Sequence, residues 1–122
     1  MSQKSILNEI VQERNHQDRK FGFQVHPCLD HTLLNREGGC TPERMCEHFE
    51  IPTEARAKFL CNNSFKNGQG TFAHIAIEEL SEAVSEFNIY TRRAEVIQLA
   101  SVCVAWVESI DEQINHLESK QK

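Results

Sequence analysis

The side chains best suited to chemistry in this chain are acids. Glu78, Glu79, Glu82 and Glu86 fall in one stretch, and Glu95 and Gln98 in the next. On an α-helix turning 100° per residue, with Ala76 as origin, Glu79 falls at about −60°, Glu86 at about −80° and Glu82 at about −120°, all on one flank of an apolar stripe. Glu78 lands toward the back. On the following helix, with Cys103 as origin, Glu95 falls at about −80° and Gln98 at about −140°, again along one edge of the apolar face. Three carboxylates and an amide brought together repel one another unless a cation sits among them. Oxygen-only ligands suit a hard cation, Mg²⁺ or Mn²⁺.

Two helices must position this set. Thr71 is a good N-cap for a helix to about Phe87, with Phe72, Ile75, Ala76, Leu80, Ala83, Val84 and Phe87 as its apolar stripe. Asn88-Ile89-Tyr90 reads as the connection and Thr91 as the next cap. The helix that follows runs from Arg92 to about Leu117, with Val96, Leu99, Ala100, Cys103, Trp106, Val107, Ile110, Ile114 and Leu117 as its stripe. So short a connection makes the helices antiparallel neighbours. Its centre puts Glu82 level with Glu95, and Glu79 level with Gln98 one turn away. A single helix-borne acid is ordinarily a solvated one; the shared register sets these four apart. Glu86 reads as surface, and Glu78 is ambiguous on position alone.

The remaining elements are also helical, and no strand pattern is present. Ser5 to Phe21 carries Ile6, Ile10 and Val11 on one side and stops at Gly22. Residues 22–40 hold no sustained period and read as an irregular loop, of the kind that forms a lid or binding loop. Thr41-Pro42-Glu43 starts a short helix that ends before Pro52, and Thr53 to Phe65 continues in helix until Asn67-Gly68-Gln69-Gly70. The expected fold is an all-α bundle of four to five helices, one domain over residues 1–122, built on the antiparallel pair at about 71–118. The run Val102–Val107 is apolar nearly all round, which suggests a subunit interface and hence a homodimer or homotetramer.

Composition narrows the partners. Thirteen Lys and Arg against eighteen Asp and Glu give a formal charge of −5, which argues against nucleic acid or an anionic membrane as the main partner. The segment 1–11 lacks a basic start and an apolar core, and the longest apolar run is far short of a membrane span. Five cysteines, an odd number at irregular spacings, fit reduced thiols and a cytoplasmic protein.

The strings EELSE at 78–82 and EVIQ at 95–98 resemble the MazG-like all-α NTP pyrophosphohydrolases, whose pattern is EExxE followed by ExxD on consecutive helices. ERNHQDRKFGFQVHP at 13–27, FAHIAIEELSEAV and AEVIQLASVCVAWVESID are similar to a phage and bacterial branch of that family. The likeness spans roughly residues 6–27 and 69–111; Cys28 to Phe65 matches less clearly. The resemblance implies a four-helix fold that binds Mg²⁺ through Glu79, Glu82 and Glu95. Glu78 would be a further ligand or the acid that orients an attacking water. Gln98 stands where the wider family has Asp, and a neutral amide holds Mg²⁺ more weakly. The implied reaction is hydrolysis of an NTP or dNTP between its α and β phosphates, releasing pyrophosphate. Arg14, Arg19 and Lys20, or Arg92 and Arg93, would face the phosphates, and Phe21 or Phe23 the base. The alternative is a relative that keeps the fold and binds nucleotide without turnover.

Other chemistry-bearing residues carry less. His26, Cys28, His31, Cys40, Cys46 and His48 cluster in sequence without the spacing of a zinc site. Cys103 reads as a small core residue and Trp106 as core or interface. His74, one turn before Glu78, reads as its helix-surface partner. No phosphate-binding glycine loop, dinucleotide turn or serine-nucleophile motif is present.

Overall fold

A computed structural model describes residues 2–121. Among these the chain is helical without strands: α1 (Gln3–Phe21), α2 (His31–Leu34), α3 (Pro42–His48), α4 (Glu54–Lys66), α5 (Phe72–Ser85) and α6 (Ile89–Gln121). The all-α expectation holds, with six helices rather than four to five. The addition is α2, a single turn inside the stretch read as irregular. Asp30 starts it by accepting the Thr32 backbone N–H on Oδ1 at 2.9 Å.

Hydroxyl caps explain most of the starts. Ser2, Thr41, Thr53 and Thr71 accept the backbone N–H three residues on, from Ser5, Arg44, Arg56 and His74, each at 3.2 Å. Each cap satisfies a donor that the first turn leaves orphaned, a contribution of about 1 kcal/mol. The start of α6 corrects the sequence reading. Asn88 Oδ1 accepts the N–H groups of Tyr90 at 2.9 Å and Thr91 at 3.2 Å, so the helix begins at Ile89. The Thr91 hydroxyl instead donates back to the Asn88 carbonyl at 3.2 Å. Asn is at least as good a cap as Thr, and the earlier start shortens the connection. At its other end α1 stops at Gly22, whose φ of 72° no larger residue adopts easily, with its N–H on the Asp18 carbonyl at 2.8 Å.

The chain forms two compact units, residues 27–102 and residues 2–26 with 103–121. In the first, α5 packs on both α3 and α4. Apart from Leu29, its buried centre is made of small and sulfur-bearing side chains: Met45 and Cys46 of α3, Ala57 and Cys61 of α4, and Ser81, Ala83 and Ser85 of α5. Small residues let the helices approach closely. Ser81 donates its hydroxyl to the Pro52 carbonyl at 2.9 Å, and Ser85 Oγ lies 3.5 Å from Cys46 Sγ. Ser81 and Ser85 lie at the back of the apolar stripe, whereas buried Ala83 belongs to the stripe and Leu80 of that stripe is exposed. Between α4 and α5 the Gly70 backbone lies against the Phe65 ring, whose atoms occupy the place of a Cβ.

In the second unit Ile6 is buried, whereas Ile10 and Val11, expected beside it, are exposed. Cys103, expected in the core, is exposed as well, because the α6 face that carries it turns to solvent. Among the described residues no helix is long and apolar enough to cross a membrane.

Candidate metal centre

The α5–α6 connection is short and tied. Asn88 caps α6, and Arg92 folds back so that its Nε and Nη2 donate to the carbonyls of Glu86 and Phe87, each at 2.9 Å. Those carbonyls lie at and just past the C-cap of α5, beyond its hydrogen-bonded turns, and the guanidinium supplies them a donor. Arg92, a candidate for substrate phosphate, serves the turn.

Glu79 and Glu82 of α5 and Glu95 of α6 come together as the sequence register requires. One carboxylate oxygen from each lies within 4.8 Å of the other two, and all three residues are half-buried. The three charges share too little water to coexist freely. Burial, then the charges of Glu95 and Glu78, push the Glu79 carboxyl above its ordinary value, and a hydrogen bond from Glu82 partly offsets this. Glu82 is pushed up to about 7, by burial first and then by the Glu79 charge and the Glu95 carboxylate. Glu82 is thus the group that holds a proton near neutral pH, bridging its two neighbours.

The other oxygens matter as much. Glu79 Oε2 and Glu95 Oε2 are buried and have no hydrogen-bond partner among the described residues. A buried carboxylate oxygen without a donor is costly, and a cation is the partner that two such oxygens on facing helices share. The donor set is all oxygen, which fits Mg²⁺ or Mn²⁺ rather than a softer ion. Among the described residues no other three His, Cys, Asp or Glu side chains gather in this way.

Glu78 stands apart from the three. It is half-buried on the face of α5 that meets α4, and the Cys61 thiol hydrogen-bonds to its carboxylate. Burial, that bond and the nearby acids push the thiol up to about 11, so Cys61 stays protonated and acts as a donor. The sequence reading missed Cys61, because its approach to Glu78 depends on how α4 packs and leaves no local pattern. Gln98 is exposed, one turn beyond Glu95. Glu86, read as surface, is half-buried as the α5 C-cap. His74 does not pair with Glu78: Nδ1 lies 2.6 Å from Thr71 Oγ1 and Nε2 3.1 Å from Ser64 Oγ, which ties the start of α5 to α4.

The expected substrate residues belong to α1, in the other unit. Arg14 bonds Gln17 at 2.7 Å and Asp18 at 2.9 Å, Lys20 Nζ sits 5.2 Å above the Phe21 ring, and Phe21 is exposed. In the cysteine- and histidine-rich segment, His48 pairs with Asp30 at 3.0 Å and Cys46 is buried. No protein-family profile matches the chain, and neither a curated protein nor a solved structure matches it.

Proposed function

We propose that the chain is a divalent-cation-dependent nucleoside triphosphate pyrophosphohydrolase of the MazG-like type, cutting NTP or dNTP to the monophosphate and pyrophosphate. The observation that carries this reading is the convergence of Glu79, Glu82 and Glu95 with buried, unpartnered oxygens on both helices. Glu79, Glu82 and Glu95 would hold one hard cation, of a kind that usually keeps waters and shares a substrate phosphate. Bound there, Mg²⁺ or Mn²⁺ would polarise phosphoryl oxygens and acidify a water. The protein's own share is positional. Glu79 and Glu95 would hold the cation, Glu82 would join them on giving up the proton it carries near neutral pH, and Glu78, beside the Cys61 thiol, would take a proton from water.

A nucleotide-binding module without turnover is the second reading, and Gln98 favours it, since a neutral and exposed amide contributes little to cation binding. Pyrophosphate release from a panel of NTPs and dNTPs with Mg²⁺ or Mn²⁺ separates the two. Metal-dependent release that falls at least about a hundredfold in Glu79→Gln, a larger loss than outer-shell changes typically give, supports hydrolysis. Nucleotide binding with no release supports the second reading. Neither binding nor release removes both.

A further inference from the structure

Helix α5 turns toward α3 and α4 a polar face that the three carboxylates do not use. At 100° per residue His74, Glu78, Ser81 and Ser85 fall within about 60° of one another, opposite the apolar stripe. Three of the four reach off their own helix: His74 Nε2 lies 3.1 Å from Ser64 Oγ, Ser81 donates to the Pro52 carbonyl, and Ser85 meets Cys46. The partners of His74 and Ser81 move back along the chain as α5 advances, which is the register of antiparallel neighbours. One turn on from the His74–Ser64 contact, forward on α5 and back on α4, that register sets Glu78 against Cys61. Cys61 is 5% exposed, one turn from the equally buried Ala57, and its thiol donates to the Glu78 carboxylate.

Glu79, the next residue, is turned 100° away and belongs to the three-carboxylate set, whereas Glu78 does not. A flexible glutamate beside three acids is repelled toward water unless a donor holds it. Backbone N–H groups along α4 and α5 are spent within the helices, so a side chain has to supply that donor. A thiol is a weak donor to a neutral oxygen and a better one to a carboxylate. We propose that Cys61 is a positioning residue for the hydrolysis, a role that rests on the pyrophosphohydrolase reading. Its S–H holds the Glu78 carboxylate at the contact with α4, outside the cation's ligands and fixed in place to accept a proton from water.

Raman spectra of the metal-free full chain read the contact without any turnover, because S–H stretching is clear of other protein bands. The band lost in Cys61→Ser lies at lower wavenumber than those of the other thiols and moves up in Glu78→Ala. In pyrophosphate release with Mg²⁺, Cys61→Ala lowers kcat at least about tenfold, while KM and Mn²⁺ affinity stay within twofold. Cys61→Ser, which keeps a hydroxyl donor, recovers most of kcat, and Cys61→Ala adds little to the loss in Glu78→Gln. An unshifted band, an unchanged kcat, a loss that serine does not recover, or a Mn²⁺ affinity that falls as far as kcat would each overturn the proposal and leave the pyrophosphohydrolase reading standing. A wild type that releases pyrophosphate from no nucleotide overturns both.

Discussion

Removing one charge from the carboxylate cluster should make the metal-free protein more stable, increasingly so as pH rises from about 4.5 to 7. Glu82 titrates at about 7 in the fold against an ordinary 4.5. The folded chain therefore binds a proton that the unfolded chain has released, and unfolding stability falls as pH rises from about 4.5 through 7. At 1.36 kcal/mol per pKa unit the full difference is about 3 kcal/mol. Glu82 is only half-buried, and solvent screening brings the expected figure to about 2 kcal/mol. Urea unfolding followed by circular dichroism at pH 5, 7 and 8.5, in chelator, reads it directly. Wild type should lose about 2 kcal/mol across that range, and Glu82→Gln should lose much less, ending more stable than wild type at pH 8.5. Mg²⁺ at ten times its dissociation constant should return about 1.4 kcal/mol to wild type at pH 8.5 and nothing to the variant. A Glu82→Gln protein with the wild-type pH slope would show that the three carboxylates do not share one site.

Two further substitutions test the structure elsewhere. Gln98→Asp should tighten Mn²⁺ binding severalfold by adding a charge one turn from Glu95, measured by calorimetric titration; unchanged affinity would place position 98 outside the site. Gly70→Ala should cost about 1 kcal/mol in urea unfolding, because its methyl group takes the space of the half-exposed Phe65 ring, which must swing aside.

The acid register was legible because it depends only on helix periodicity and on a connection too short to allow another arrangement. With the joint at residues 86–88, Glu79, Glu82 and Glu95 still meet, while Gln98, expected level with Glu79, is exposed. What could not be read was the packing of α3 and α4. Ser81 and Ser85 look like solvent-facing residues on a hydropathy pattern, yet they are the buried contact of α5, because closely packed helices select for small size before apolarity. The Cys61–Glu78 contact was hidden for the same reason. Cys103 misled in the opposite sense: its place in an apolar stripe suggested core, whereas the stripe faces outward.

The Arg92 clamp on the Glu86 and Phe87 carbonyls has an implication for how this site can change over time. All three carboxylates come from the stretch 79–95, so they meet across a short loop, with little entropy lost on closure and no help needed from distant chain. Substitutions in the rest of the molecule can accumulate without separating them. Insertions and deletions in the joint are another matter, since one residue more or less rotates everything after it by about 100° and carries Glu95 off its flank. The length of three residues at the hairpin, rather than their identity, is what lineages of this protein must preserve to keep the acids together.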